Sequence, residues 1–186
     1  MILAVARELL VVDGIDGVSF RRIASRLGVT APALYGYVDG KADLLRALAE
    51  HEFSQLLERF AEVDDPDPVV RIRGHSRAYV QYAREHPALF AVMFVFRPDW
   101  VAGAADELPL ATEVFGVGLA AIDEAIAAGA IHGEPFMVAL TMWSAMHGVA
   151  TVLLANPGLG EETETALVDH VIDTVLTGLA ARRDET

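Results

Sequence analysis

Residues 28–41 read GVTAPALYGYVDGK and stand between two stretches whose apolar residues recur at helical spacing. Gly28 closes the first of those stretches, Thr30 is placed to cap the next helix, and Pro32 suits a first helical turn, where its missing N–H costs nothing. Asp39-Gly40 then turns the chain again. The helix between these turns has room for one or two turns of its own, too few to bury much surface. Ala31, Ala33, Tyr35 and Tyr37 face outward on it, a poor composition for a plain connector. The pattern predicts a short helix held out for contact.

Upstream, Ser19 is placed to cap a helix whose Phe20, Ile23, Ala24 and Leu27 line one face while Arg21, Arg22, Ser25 and Arg26 line the other. Residues 2–13 form an earlier helix, and a long one extends from Lys41 to about residue 60. Two helices joined by a glycine turn, the second short and exposed, make a helix-turn-helix whose second helix fits the DNA major groove. The surrounding residues suit phosphate. Lys41, the sole lysine of the chain, sits in a first helical turn, where a bound anion reverses an otherwise unfavourable placement. Ser19, Thr30, Tyr35 and Tyr37 carry hydroxyls that can donate to phosphate oxygens. The competing reading packs both tyrosines under the head as core and leaves Lys41 solvated.

The whole chain has 186 residues, 53% of them hydrophobic, no cysteine and a net charge of −13. That charge is unevenly placed. Residues 1–48 hold six basic and five acidic side chains, a sum of +1, and the rest holds eight against 22, a sum of −14. Only the head can approach a polyanion; the body repels one. The opening MILAVARELL lacks the basic region and small-residue cleavage site of an export signal, so a cytoplasmic location is expected. Without cysteine there are no disulfides or thiolate metal sites, and the histidines show no paired metal spacing, so neither a metal nor a cofactor is expected. No Ser-His-Asp set, phosphate loop or paired-carboxylate motif points to catalysis.

Gly and Pro punctuation divides the chain into about nine helical blocks without strands, an all-α fold. The segment EVDDPDP, residues 62–68, reads as the linker, separating a head over 1–49, with its connecting helix to about residue 60, from a body over 62–186. The body is expected to hold helices from Val69 to Glu85, Pro87 to Phe96, Asp106 to Ala128, Glu134 to Ala155 and Glu161 to Arg182. Residues 136–155 carry no formal charge and are long enough to cross a bilayer. His147 in mid-segment, the lack of flanking Lys or Arg, and small-residue faces favour a helix buried by its own domain and a second subunit. The last helix spaces Leu167, Val168, Val171, Ile172, Val175, Leu176 and Leu179 by threes and fours, a stripe suited to an intersubunit four-helix bundle or to packing within its own domain.

The segment GVSFRRIASRLGVTAPALYGYVDGKADLLRAL, with ILAVARELLVVDGIDG before it, resembles the DNA-binding head of TetR (tetracycline repressor) family transcription regulators over about residues 2–49. The resemblance implies a homodimer on a palindromic double-stranded operator, most simply a repressor released by a small apolar or amphipathic effector. It makes Ala31 to Gly36 the recognition helix, gives Tyr35, Tyr37 and Lys41 to the DNA backbone, and matches Arg21 to a base-reading position. A bidentate grip on guanine is the chemistry assigned to Arg21. The expected DNA contacts are Ser19, Arg21, Arg22, Thr30, Ala31, Pro32, Ala33, Tyr35, Tyr37 and Lys41. The recognition helix lacks Gln, Asn and Arg, so its reading falls to Thr30 and to contact of Ala31, Pro32 and Ala33 with thymine methyls.

In the body, YVQYAREHPALFAVMF (79–94) and WSAMHG (143–148) resemble the effector domain of a TetR subgroup named for its Trp-His-Gly motif. This implies a ligand cavity drawn from Tyr82, Phe90, Met93, Phe94, Phe115, Met142, Trp143, Met146 and His147, residues that helical spacing alone would read as core. Tyr79 and Phe96 belong to the same aromatic set. His147 is either a ligand donor or a satisfied core histidine. Two rival functions stay open: a dimeric small-molecule-binding protein without operator binding, and a helical enzyme.

Overall fold

The computed structural model describes residues 1–94 and 108–180. Among them it holds nine helices: α1 (Ile2–Gly17), α2 (Phe20–Leu27), α3 (Ala31–Leu34), α4 (Lys41–Ala61), α5 (Pro68–Glu85), α6 (Pro87–Met93), α7 (Pro109–Ala127), α8 (Pro135–Ala155) and α9 (Glu161–Leu179). No strand occurs among the described residues; one isolated bridge joins Ile131 to Ala180. The expected helix ends at Phe96 and Arg182, and the expected start at Asp106, lie outside the described residues. The helices form two compact units, Met1–Gln55 with His86–Thr112 and Leu56–Glu85 with Glu113–Thr186.

In the first unit, α1 buries Ala6, Leu9 and Leu10 and is broken at Gly14, whose φ of 68° departs from helical geometry. α2 begins as its sequence requires. The Ser19 hydroxyl oxygen accepts from the Arg22 amide at 3.4 Å, and Gly28 ends the helix in the left-handed region at φ 68°. Thr30 occupies the cap position of α3, but its side chain makes no capping hydrogen bond, contrary to the expectation from sequence. Leu34 is the one buried residue of α3. It enters a core of Leu9, Leu10, Ile23, Leu44, Leu45 and Leu48, which Leu89 and Val92 of α6 complete. α6 thus packs on α1, although it lies some 20 residues beyond the linker; at seven residues it cannot bury its own apolar side and takes its cover from the head. A boundary at residue 62 assigns this helix to the body, whereas the packing gathers His86–Thr112 with the head.

Ion pairs fasten the helices of this unit. The Glu52 carboxylate, fully buried on α4, accepts from Arg7 Nε of α1 at 3.0 Å. Arg22 pairs with Asp13 and also donates to the Gly17 carbonyl at 3.0 Å, and Arg26 pairs with Glu8 at 2.9 Å.

In the second unit α8 packs against α5 and α9, and α5 against α9. α8 has the length and apolar composition of a membrane span, and its Val138, Ala139, Met142, Met146, Val149, Ala150 and Leu153 are buried within the unit. Of the expected stripe on α9, Val168, Ile172 and Leu176 are buried, while Leu167, Val171, Val175 and Leu179 are half-buried. A ladder invisible to helical periodicity runs beside this core: Arg73 with Asp173, Arg77 with Asp169 at 2.8 Å, and Arg84 with Glu164. The residue numbers rise on α5 as they fall on α9, so the two helices are antiparallel.

His75, buried on α5, stacks on Phe60 with ring centroids 4.6 Å apart. Burial, together with the nearby Arg71 charge and against a hydrogen bond to the Phe60 backbone, holds its pKa below the usual 6.5. Burial lowers His147 in the same way. Between the folded values and 6.5 the unfolded chain binds more protons, so the full contribution is present above about pH 6.5 and is lost as pH falls below it. The melting temperature is expected to drop between about pH 7.5 and 5.5, and His75→Phe to flatten that slope in calorimetric scans. Arg7→Ala, which strips a buried carboxylate of its cation, is expected to cost about 2 kcal/mol in urea unfolding of the full chain.

Candidate functional site

The outer side of the first unit presents α3 and its flanks. Pro32 and Ala33 are exposed and face outward, whereas Ala31, expected to do the same, is half-buried and packs against the core. Tyr35 is 58% and Tyr37 78% exposed, which removes the reading of both as core. The Tyr35 ring nevertheless rests on Phe20 of α2, edge to face, with centroids 4.7 Å apart and planes at 67°. Thr30 is exposed with its hydroxyl uncommitted to capping, whereas Ser19 is half-buried and uses its oxygen on the Arg22 amide.

Charge sorts the cations of the head into two groups. Arg7, Arg22, Arg26 and Arg46 pair with Glu52, Asp13, Glu8 and Asp43. Arg21 and Lys41 are exposed and have no ion-pair partner among the described residues. They flank the short helix, Arg21 from the first turn of α2 and Lys41 from the first turn of α4. Asp43 reaches back to the Asp39 amide at 3.0 Å and so fixes the turn that delivers Lys41. Arg22 lies beside Arg21 in sequence, yet its guanidinium is engaged by Asp13 and Gly17.

The nine expected effector residues divide between the units. Phe90, Met93 and Phe94 belong to the first, where Phe90 and Met93 are buried and Phe94 lies 4.9 Å from Phe90 and 6.0 Å from Phe53. Tyr82, Phe115, Met142, Trp143, Met146 and His147 belong to the second. There Tyr82, Met142 and Met146 are buried, Arg59 lies over the Tyr82 ring at 5.0 Å, and Phe115 meets Phe136 at 5.7 Å. Trp143 stacks on His147 at 5.2 Å, and the Tyr79 hydroxyl shares a 2.8 Å hydrogen bond with His147 Nδ1. Burial raises the Tyr79 phenol well above its usual range, partly offset by a hydrogen bond with Trp143, and lowers His147, so both shifts favour a neutral pair. A groove of about 580 Å³ lies along α5 and α9, lined by Arg77, Gln81, Arg84, Glu161, Thr165 and Asp169 among others, and includes none of the nine.

A family model described as "Tetracyclin repressor-like, C-terminal domain" matches residues 72–175, more than half of the chain, and one described as "Bacterial regulatory proteins, tetR family" matches residues 2–48. The chain belongs to the TetR family. Members of that family are DNA-binding transcriptional regulators, which bind DNA as dimers and bind small-molecule ligands. An HTH-type transcriptional regulator of Mycobacterium tuberculosis is 29% identical over 174 residues, covering 91% of this chain and 73% of that protein. The tetracycline repressor protein class C of Escherichia coli is 49% identical over 78 residues, 42% of this chain and 36% of its own length. A solved structure of a protein with unknown function from Rhodococcus sp. RHA1 is 31% identical, with 96% of this chain and 93% of that one covered at a TM-score of 0.82. These relatives are regulators where a function is named, and the description of the C-terminal match, tetracyclin repressor-like, names no Trp-His-Gly subgroup.

On a TetR-type head with four cations already paired, the electrostatic grip rests on few charges. Lys41→Ala is therefore expected to make the logarithmic salt dependence of DNA binding shallower by about one unit per head. Fluorescence anisotropy with labelled duplex across a salt series measures it.

Proposed function

We propose that this chain is a homodimeric, cytoplasmic, one-component transcriptional regulator, a repressor released from a roughly palindromic operator by a small apolar or amphipathic effector. The observation that carries the reading is the outer side of the head, where Arg21, Lys41, Tyr35 and Tyr37 stand exposed around a helix of four residues. Tyr35, Tyr37, Thr30 and Lys41 hold phosphates, with Ser19 able to donate its remaining O–H. Arg21 reads a guanine edge, and Ala31, Pro32 and Ala33 contact thymine methyls. Arg22 contributes through the helix it braces more than through a free guanidinium.

A single helix of this size covers about half a site, and two-fold symmetry supplies the rest. The uncharged exposed positions Met137, Thr141, Ser144, Gly148 and Val152 on α8, with α9 beside it, support pairing of two chains through these helices. Trp143 stacked on His147 and succeeded by Gly148 supports an effector site of the Trp-His-Gly kind in the second unit. An effector that prefers one dimer geometry shifts the population away from the spacing that fits successive major grooves; moving it from 1:99 to 99:1 takes a differential affinity of about 5.5 kcal/mol.

The test is a mobility shift with the full chain and duplex enriched by it from random sequence. The triple variant Arg21→Ala, Tyr35→Phe, Lys41→Ala is expected to bind at least about tenfold more weakly at equal salt. Equal binding by parent and variant would sink the contact assignment. Absence of any specific retardation at low salt would favour the small-molecule-binding reading, and turnover of a compound found by thermal-shift screening would favour the enzyme.

A further inference from the structure

We propose that Phe20 is a positioning residue for DNA binding, holding the Tyr35 ring in its phosphate-facing pose before DNA arrives. The inference rests on the contact role proposed above for Tyr35. Helical spacing reads Phe20 as one more apolar residue on the inner side of α2, beside Ile23, Ala24 and Leu27. Its neighbours on that side behave so, since Ile23 and Ala24 are buried. Phe20, like Leu27, is half-buried and packs against the core by one side; it differs in offering the remainder to Tyr35, at 4.7 Å and 67°.

The geometry around Tyr35 makes this contact consequential. The residue ends α3 with helical backbone angles, φ −67° and ψ −10°, and its amide donates to the Pro32 carbonyl at 3.2 Å. Its backbone is therefore set, and only the rotation of the side chain is left free. At 58% exposure an unsupported tyrosine ring samples several staggered rotamers, and binding must select one of them. An edge-to-face partner within the favoured centroid range removes much of that freedom in the unbound protein. Tyr37, two residues on and 78% exposed, has no ring contact among the described residues, so the support is specific to Tyr35. Phe20 itself is anchored by the capped start of α2, where Ser19 binds the Arg22 amide. The cap, the phenylalanine and the tyrosine make one chain of support from the core to the DNA-facing hydroxyl.

The experiment is a double-mutant cycle in the 186-residue chain, using a short duplex enriched from random sequence by the parent, with dissociation constants measured at one salt concentration. Phe20→Leu keeps the apolar packing and removes the ring; Phe20→Tyr keeps the ring. The expectation is a three- to tenfold loss for Phe20→Leu, of about the size that ordering one side chain costs, with near-parental binding for Phe20→Tyr. In a Tyr35→Ala background, itself weaker than the parent, Phe20→Leu is expected to cost nothing further. Equal losses for Phe20→Leu in both backgrounds would show a general effect on the head and overturn the positioning role alone. Parental affinity for Phe20→Leu would do the same. Parental affinity for Tyr35→Ala would overturn the contact role of Tyr35 and this inference with it. Melting temperatures of all five proteins, measured alongside, separate a folding defect from a binding defect, and a loss that tracks melting temperature rather than the Tyr35 background also overturns the proposal.

Discussion

A helix of four residues cannot hold itself together. Nucleation is costly, and isolated helices shorter than about 12 residues are marginal in water even with favourable sequences. α3 lacks even the side-chain cap that its threonine could supply. It exists because of Leu34, the single side chain that it buries, and because the chain on either side is already turned. Gly28 takes a left-handed conformation before it, and the amides of Tyr37 and Val38 both donate to the Leu34 carbonyl after it, at 3.0 and 3.2 Å. Every other element of the head can be read as support for that one anchored turn. α1, α2 and α4 build the core that receives Leu34, and α6 closes it.

The same economy governs charge. The head could present six cations, yet four are paired with its own carboxylates, Arg7, Arg22 and Arg26 between helices and Arg46 within α4. This arrangement exchanges long-range attraction for a fixed frame. With a body of charge −14 in the same chain, non-specific attraction to DNA is expected to be weak, which puts the weight of the proposed contacts on the few groups that remain exposed. Rigid placement then matters more than the number of contacts.

Local punctuation was the legible part of this sequence. Ser19, Gly28, Pro32 and Asp39-Gly40 act within a few residues of themselves, so their effect on helix ends can be read without knowing the fold, and α2, α3 and α4 lie where those residues put them. Thr30 is the exception, since a cap position invites but does not compel a capping bond. Contacts that cross the chain left no such trace. The Arg7–Glu52 pair joins residues 45 apart, and α6 reaches back to α1 across the linker, because burial of a two-turn helix is decided by whichever surface needs cover. Helical spacing could name Trp143, His147, Phe90 and Phe94 as aromatic and inward, but not that the first pair and the second belong to different units. Phe20 was hidden for a related reason: a periodic pattern distinguishes inner from outer faces, and its contact with Tyr35 lies at the boundary between them.

The arginine ladder between α5 and α9 carries a different kind of information. Two antiparallel helices with small or interchangeable apolar seams can slide past each other by one turn, about 5.4 Å, at little cost in buried area. In this unit such a slip would re-form at most one pair, Arg73 with Asp169 or Arg77 with Asp173 according to its direction, and would leave the other arginines and the buried Glu164 carboxylate without their partners. Exposed ion pairs of this sort contribute little to stability individually. As a set they penalise a slipped assembly of these two helices, since no shift by one turn restores all three pairs, and their value lies in disfavouring wrong registers more than in strengthening the right one.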